Sequence, residues 1–122
     1  MDVNFFNTFF DSVDITALAG GASGDVLYTC PNNYNAEVTL LCITNDASST
    51  ASGYIQYYHS DDASYYNLAK NHTISGSDTY HFITSQRLYL HAGDKIVVYM
   101  GSGNTLEASI SGKEYVNRTR KA

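Results

Sequence analysis

Arg87-Leu-Tyr-Leu-His-Ala-Gly-Asp-Lys-Ile-Val-Val-Tyr-Met-Gly-Ser-Gly-Asn-Thr-Leu-Glu-Ala-Ser-Ile-Ser-Gly-Lys-Glu-Tyr-Val116 decides the fold class. It reads as three short strands, Arg87–Leu90, Lys95–Met100 and Thr105–Glu114, parted by Ala92-Gly93-Asp94 and by Gly101-Ser-Gly-Asn104. Apolar residues alternate with polar ones between clusters of turn formers, and no interval is long enough for a helix. The class is therefore all-β. Ala92-Gly93-Asp94 is predicted to be a hairpin corner: glycine reaches positive φ at no steric cost, and an aspartate side chain can bond its own turn backbone.

The same period of two runs back to residue 25. Val26–Thr29 is a strand that stops at Cys30-Pro31, where proline lacks the donor a ladder needs. Ala36–Asn45 is the most apolar strand, with Val38, Leu40 and Cys42 expected on one face and Leu41 and Ile43 on the other, as in a central strand. Gly53–His59 is rich in tyrosine, with Ile55 and Tyr57 on one side and Tyr54, Gln56 and Tyr58 on the other. Tyr65–Leu68 and Thr73-Ile74 are weaker elements, and Thr79–Ile83 is a further strand. About eight strands at roughly ten-residue spacing predict an antiparallel two-sheet β-sandwich of jelly-roll type.

The ends differ from this body. Phe5, Phe6, Phe9, Phe10 and Val13 recur at helical spacing, so residues 1–21 are expected to form a Phe-rich arm or short helix, with Ala17–Gly24 as a flexible connection. Its apolar stripe would pack on the sandwich or insert into a partner. In the second case, deleting residues 1–16 would spare the sandwich and abolish binding. Residues 22–116 form the sandwich domain. Residues 117–122 form a basic tail, because Arg118, Arg120 and Lys121 are three of the seven basic residues of a chain with net charge −5. A tail of this kind is usually a solvated terminus; it can also dock on an acidic neighbour.

A chain of 122 residues suits one domain with its own core. Its acidity speaks against general nucleic-acid binding. No stretch approaches the roughly 20 apolar residues of a membrane span. Met1-Asp2-Val3-Asn4 lacks the positive flank of a signal peptide, so synthesis in a cytoplasm is expected, with Cys30 and Cys42 as free thiols. On the same ground, Asn71-His-Thr73 and Asn117-Arg-Thr119 are chance matches to the glycosylation triplet.

Chemistry is hard to seat on these residues. There is no Gly-rich phosphate loop opening a helix and no Gly-x-Ser-x-Gly elbow. His59, Asp61 and Asp62 are close enough in sequence to hold a metal, but the loop has no known site pattern and reads as a solvated acidic turn. No pair of carboxylates is nominated for glycoside work. The expectation is a protein that is not an enzyme and has no catalytic residue, metal or cofactor. Tyr54, Tyr57, Tyr58, Tyr65 and Tyr66 cluster around one strand and its loop. Such rings stack on sugars or fill protein interfaces, which leaves a carbohydrate-binding module as an alternative.

Three segments carry a likeness to known proteins: Val26-Leu-Tyr-Thr-Cys-Pro31 with the strand ending Ile43-Thr-Asn45, Asn71-His-Thr-Ile74, and Leu88 through Glu114 with its Ser/Gly/Asn turn. Over roughly residues 25–115 the chain resembles small β-sandwich virion proteins of tailed phages, many of them cyanophages. It departs from them at Cys30, Cys42, its many tyrosines and its Phe-rich start. The resemblance implies a structural protein, most like a capsid cement or decoration protein on the outer head surface. Its partner would be the major capsid protein, and it would be a homo-oligomer, with a trimer favoured. The contact residues would be Phe5, Phe6, Phe9, Phe10, Val13, Tyr54, Tyr57, Tyr58, Arg118, Arg120 and Lys121. A neck, tail or fibre component of the same particle is the structural alternative.

Overall fold

The computed structural model describes residues 6–102 and 105–116. Phe5 and the basic tail residues Arg118, Arg120 and Lys121 lie outside them. Nine strands follow in order: β1 (Phe6–Ile15), β2 (Asp25–Thr29), β3 (Tyr34–Asn45), β4 (Ala51–His59), β5 (Ser64–Ile74), β6 (Thr79–His81), β7 (Leu88–Leu90), β8 (Lys95–Ser102) and β9 (Leu106–Val116). They form a five-stranded sheet, β1-β9-β3-β6 with β7 also on β3, and a four-stranded sheet, β2-β8-β4-β5. Every pairing is antiparallel. With β6 and β7 counted as one interrupted strand, this is the eight-strand jelly roll. The two weak elements after the tyrosine-rich strand are one strand, β5.

The core lies between the sheets. Val38, Leu41 and Ile43 of β3 and Leu106, Ala108 and Ile110 of β9 meet Ile55 of β4 and Ile96 and Val98 of β8. The expected facing of β3 needs a correction. Thr39 is extra in the register, because Val38 pairs with Gly112 and Leu40 with Ser111. A bulge of this kind shifts the alternation by one residue. Val38 therefore joins Leu41 and Ile43 in the core, while Leu40 and Cys42 take the outer face. Gly112 is what lets the bulge close: a Cβ there would overlap the carbonyl oxygen of Glu37 and press on the ring of Phe9.

The largest correction is at the start of the chain. Phe6–Ile15 is a strand, not a helix, and all ten of its residues pair with β9 without a register break. Positions i and i+4 share a face in either geometry, so the phenylalanine spacing does not separate the two. The open ladder of β9 makes the choice: a ten-residue helix is marginal alone, whereas a strand there pairs the otherwise open edge of β9. Residues 1–21 are thus not a separable arm. Phe9 and Val13 pack on the core and Ile15 is inside it. Deleting residues 1–16 would strip a sheet strand, so that deletion no longer isolates a binding element.

Ala17–Gly24 is also ordered rather than a loose connection. Thr16 and Ala17 donate their N–H groups to Asp25 Oδ2 at 2.8 and 3.0 Å. A 3-10 turn at Gly21–Ser23 then lies across the outer face of the four-stranded sheet, where the Gly21 N–H donates to Gln56 Oε1 at 2.8 Å. A Cβ at Gly20 would strike Tyr99, and one at Gly24 would strike Val97. Missing side chains let this strap sit directly on the sheet.

Candidate functional site

β1 divides the predicted phenylalanine stripe between two faces. Phe9 stacks on Tyr28 of β2, with centroids 4.2 Å apart and planes 10° from parallel. Phe6 and Phe10 face outward, 40% and 65% exposed. Phe6 meets Tyr115 across the ladder at 6.0 Å, and the Lys113 ammonium sits 5.2 Å from the Phe6 ring centre. Farther along the same face are Tyr89, also exposed, and Glu37, which accepts from Arg87 at 2.9 Å and from the Tyr115 hydroxyl at 3.2 Å. The outer face of the five-stranded sheet thus carries an exposed aromatic patch braced by one ion pair, one hydroxyl–carboxylate hydrogen bond and one cation–π contact. Tyr89, Tyr115 and Lys113 belong to it without having been singled out in the sequence. Period-two facing on β9 would have found two of them.

The tyrosines of β4 do not form one surface. Tyr57 points to the core side and is committed to an internal network, so its predicted contact role does not fit its placement. Tyr54 and Tyr58 point outward. Tyr54 stacks on Tyr99 at 4.1 Å with planes 6° apart, and Tyr58 leans on Tyr65 at 4.8 Å. Lys95 lies 5.1 Å from the Tyr58 ring centre. Gln56, between these pairs, donates to Asn67 Oδ1 and is roofed by the glycine strap. The rings here spend much of their area on one another.

Asp94 anchors the third cluster. It is 0% exposed. Its Oδ1 accepts from the Ser60 N–H at 2.9 Å and the Ser60 hydroxyl at 3.0 Å. Its Oδ2 accepts from the Tyr57 hydroxyl and the His91 N–H, both at 2.8 Å. Burial alone would push the Asp94 carboxyl up. The amides of Ser60 and His91 and the two hydroxyls outweigh it and hold the group below its ordinary value. Tyr57 has one proton and gives it to Asp94, so His59 Nδ1, 2.9 Å from the Tyr57 oxygen, must carry a hydrogen. Around Gly93 (φ 85°) the backbone joins in: Cys30 N–H donates to the Asp94 carbonyl and Gly93 N–H to the Cys30 carbonyl. The predicted corner does bond its own turn, but it is not a hairpin: β7 pairs with β3 in the five-stranded sheet and β8 with β2 and β4 in the other, so the corner carries the chain between sheets. It also ties β2, β4 and β8 together at one end of the sandwich.

His59 lies 3.9 Å from Asp61 and 3.6 Å from Asp94. Among the described residues no three of His, Cys, Asp and Glu are grouped to hold a metal ion. Cys30 and Cys42 are free and buried. Burial, reinforced by the negative charges of Glu114 and Asp94, pushes the Cys30 thiol up to about 11. At neutral pH it stays protonated and poorly nucleophilic.

No helix among the described residues is long and apolar enough to cross a membrane. Comparison with known proteins returns no relative: no family model, curated protein or solved structure matches the chain.

Proposed function

We propose that this chain is a structural protein of a tailed-phage particle, a capsid decoration protein that binds the outer head shell and associates with itself. The observation that carries the reading is the placement of the aromatic residues on a jelly roll. That fold serves viral capsid and lectin domains alike, so topology alone is an analogy and the surface has to choose. Phe6, Phe10, Tyr89 and Tyr115 are all exposed on the outer face of one sheet. Clustered exposed aromatics rimmed by charge are characteristic of protein contact surfaces. The resemblance of residues 25–115 to phage virion proteins points the same way. The major capsid protein is the proposed partner. Many copies on a lattice bind by avidity even where each contact is weak.

The test is electron cryomicroscopy of virions that contain the chain, together with co-sedimentation of purified protein with expanded heads. Sandwich-shaped density on the head exterior, and pelleting that is lost in Phe10→Lys, are expected. Density at the neck, tail or fibre would move the protein to that part of the particle. Soluble protein that never pellets and no density on virions would end the reading.

Carbohydrate binding is the second reading, favoured by the Tyr58–Tyr65 pair with Lys95 on one face. Glycan-array signal lost on Tyr58→Ala would support it.

A further inference from the structure

A jelly roll has sheet edges, and three of the four here are blunted. β2 is five residues long and is bulged at Leu27, between the Val26 and Tyr28 pairs. β5 breaks register with β4 twice, and Asn71 within it has a φ of 49°. β6 and β7 are three residues each and are separated by residues 82–87. Short strands and bulges are how sheet proteins prevent pairing with other chains. β1 has neither device. It is ten residues long, in unbroken register with β9, and has no Pro, Gly or Lys. Among the described residues no strand pairs with its other edge. Alternate residues of β1 therefore point their backbone donors and acceptors away from the protein.

We infer that the free edge of β1 pairs antiparallel with β1 of a second copy, across a twofold axis at Phe9, joining two five-stranded sheets into one. The interface stands on this geometry and does not depend on the particle reading. A twofold axis makes the same patch meet itself and closes the assembly at two copies. The register follows from the side chains. Asp11 lies on the inward row of β1, and an inward-pointing acid normally protects an edge. With Phe9 on the axis, Asp11 faces Asn7 of the other copy, whose amide supplies donors to the carboxylate. On the outer row Phe10 faces Thr8, and Phe6 faces Ser12. Moving the axis to Phe10 sets Asp11 against Phe9, and moving it to Asp11 sets two aspartates together. Charge agrees with the antiparallel sense. On the outer row Lys113 flanks the Phe6 end, while Asp14 and Glu107, paired in register, mark the other end, so Lys113 of each copy approaches the acids of the other; Glu114, opposite Asn7, lies on the inward row and accepts from the Tyr28 hydroxyl.

The experiment is sedimentation equilibrium on the full chain and four variants, with far-UV circular dichroism to check each fold. Wild type should run at twice the 13.4 kDa chain mass. Phe10→Lys, at a site 65% exposed, should weaken the dimer about 30-fold or more. Leu18→Lys, on the strap and 72% exposed, should leave it unchanged. Asn7→Lys places an ammonium opposite Asp11 of the other copy and should tighten the dimer about 3- to 10-fold at low salt. Adding Asp11→Lys to Asn7→Lys should abolish that gain. A wild-type monomer at millimolar concentration, a trimer, or a dimer indifferent to Phe10→Lys would overturn the interface. Weakening by Asn7→Lys would overturn the register.

Discussion

Replacing Asp94 with asparagine changes one atom in shape and most of a network in chemistry. The carboxylate accepts four hydrogen bonds, two at each oxygen, and water does not reach it. Asparagine keeps one oxygen. In either amide orientation its NH2 group faces a backbone N–H that cannot turn away, Ser60 on one side or His91 on the other. Two hydrogen bonds to a charged group are lost, each contributing about 1.5 kcal/mol or more, and a buried amide donor is left unpaired. The sum is about 3–5 kcal/mol, against a total stability of about 5–15 kcal/mol for a domain. With an m-value near 1.5 kcal/mol/M, Asp94→Asn should lower the urea midpoint by about 2–3 M. The sign of the pH dependence follows from the depressed carboxyl. Its contribution is fully present above the ordinary value of 3.8 and is lost as pH falls through the lower value of the folded state. The gap between wild type and Asp94→Asn should therefore be constant from neutral pH to about 5 and shrink below about 4. A midpoint shift under about 0.5 M, or a gap that stays constant down to acid pH, would refute the account of Asp94 as an ionised fastener.

Two further outcomes follow from the core. Gly112→Ala drives a methyl group into the Glu37 carbonyl, so it should cost about 3 kcal/mol and lower the melting temperature by roughly 10 °C, read by calorimetry; an unchanged melt would show that the β3 bulge can relax. Cys30, with its thiol raised to about 11, should resist an aromatic disulfide reagent at pH 8 in the native protein and react at once in urea. Fast native labelling traced to Cys30 would contradict its burial.

The sequence-to-structure map is clearest where contacts are local. Lys95–Ser102 and Leu106–Val116 were legible because alternation and turn residues are properties of neighbours. The Ala92-Gly93-Asp94 corner was legible for the same reason, but its reach to Ser60 and Tyr57 was not, since nothing within the turn shows which distant strand end it meets. Thr39 shows the limit of alternation: one extra residue reverses every facing on one side of it, and only the partner strand reveals it. The Phe6–Val13 spacing fits a helix and a strand equally well, and the vacancy beside β9 decides between them. Thr8, Val13 and Ile15, β-branched and in the same run, were the local hint toward a strand. Tyr57 illustrates the remaining difficulty, because an aromatic strand residue can serve a surface or an internal hydroxyl network with the same local sequence.

The position of β9 between β1 and β3 has a consequence for how the protein is made. β1 leaves the ribosome before the other eight described strands, yet its ladder partner is the last of them, with Phe6 joined to Tyr115. Until that strand emerges, β1 has nothing to pair with and β3 lacks a neighbour along most of one side. The first sheet therefore closes only after translation has passed residue 116, and the nascent chain carries Phe6, Phe9 and Phe10 unpaired throughout. Contacts of this sequence separation are slow to form. The segment most exposed to chaperones, and to misassembly on crowded polysomes, is the same one whose free edge is offered to a second copy once folding is complete.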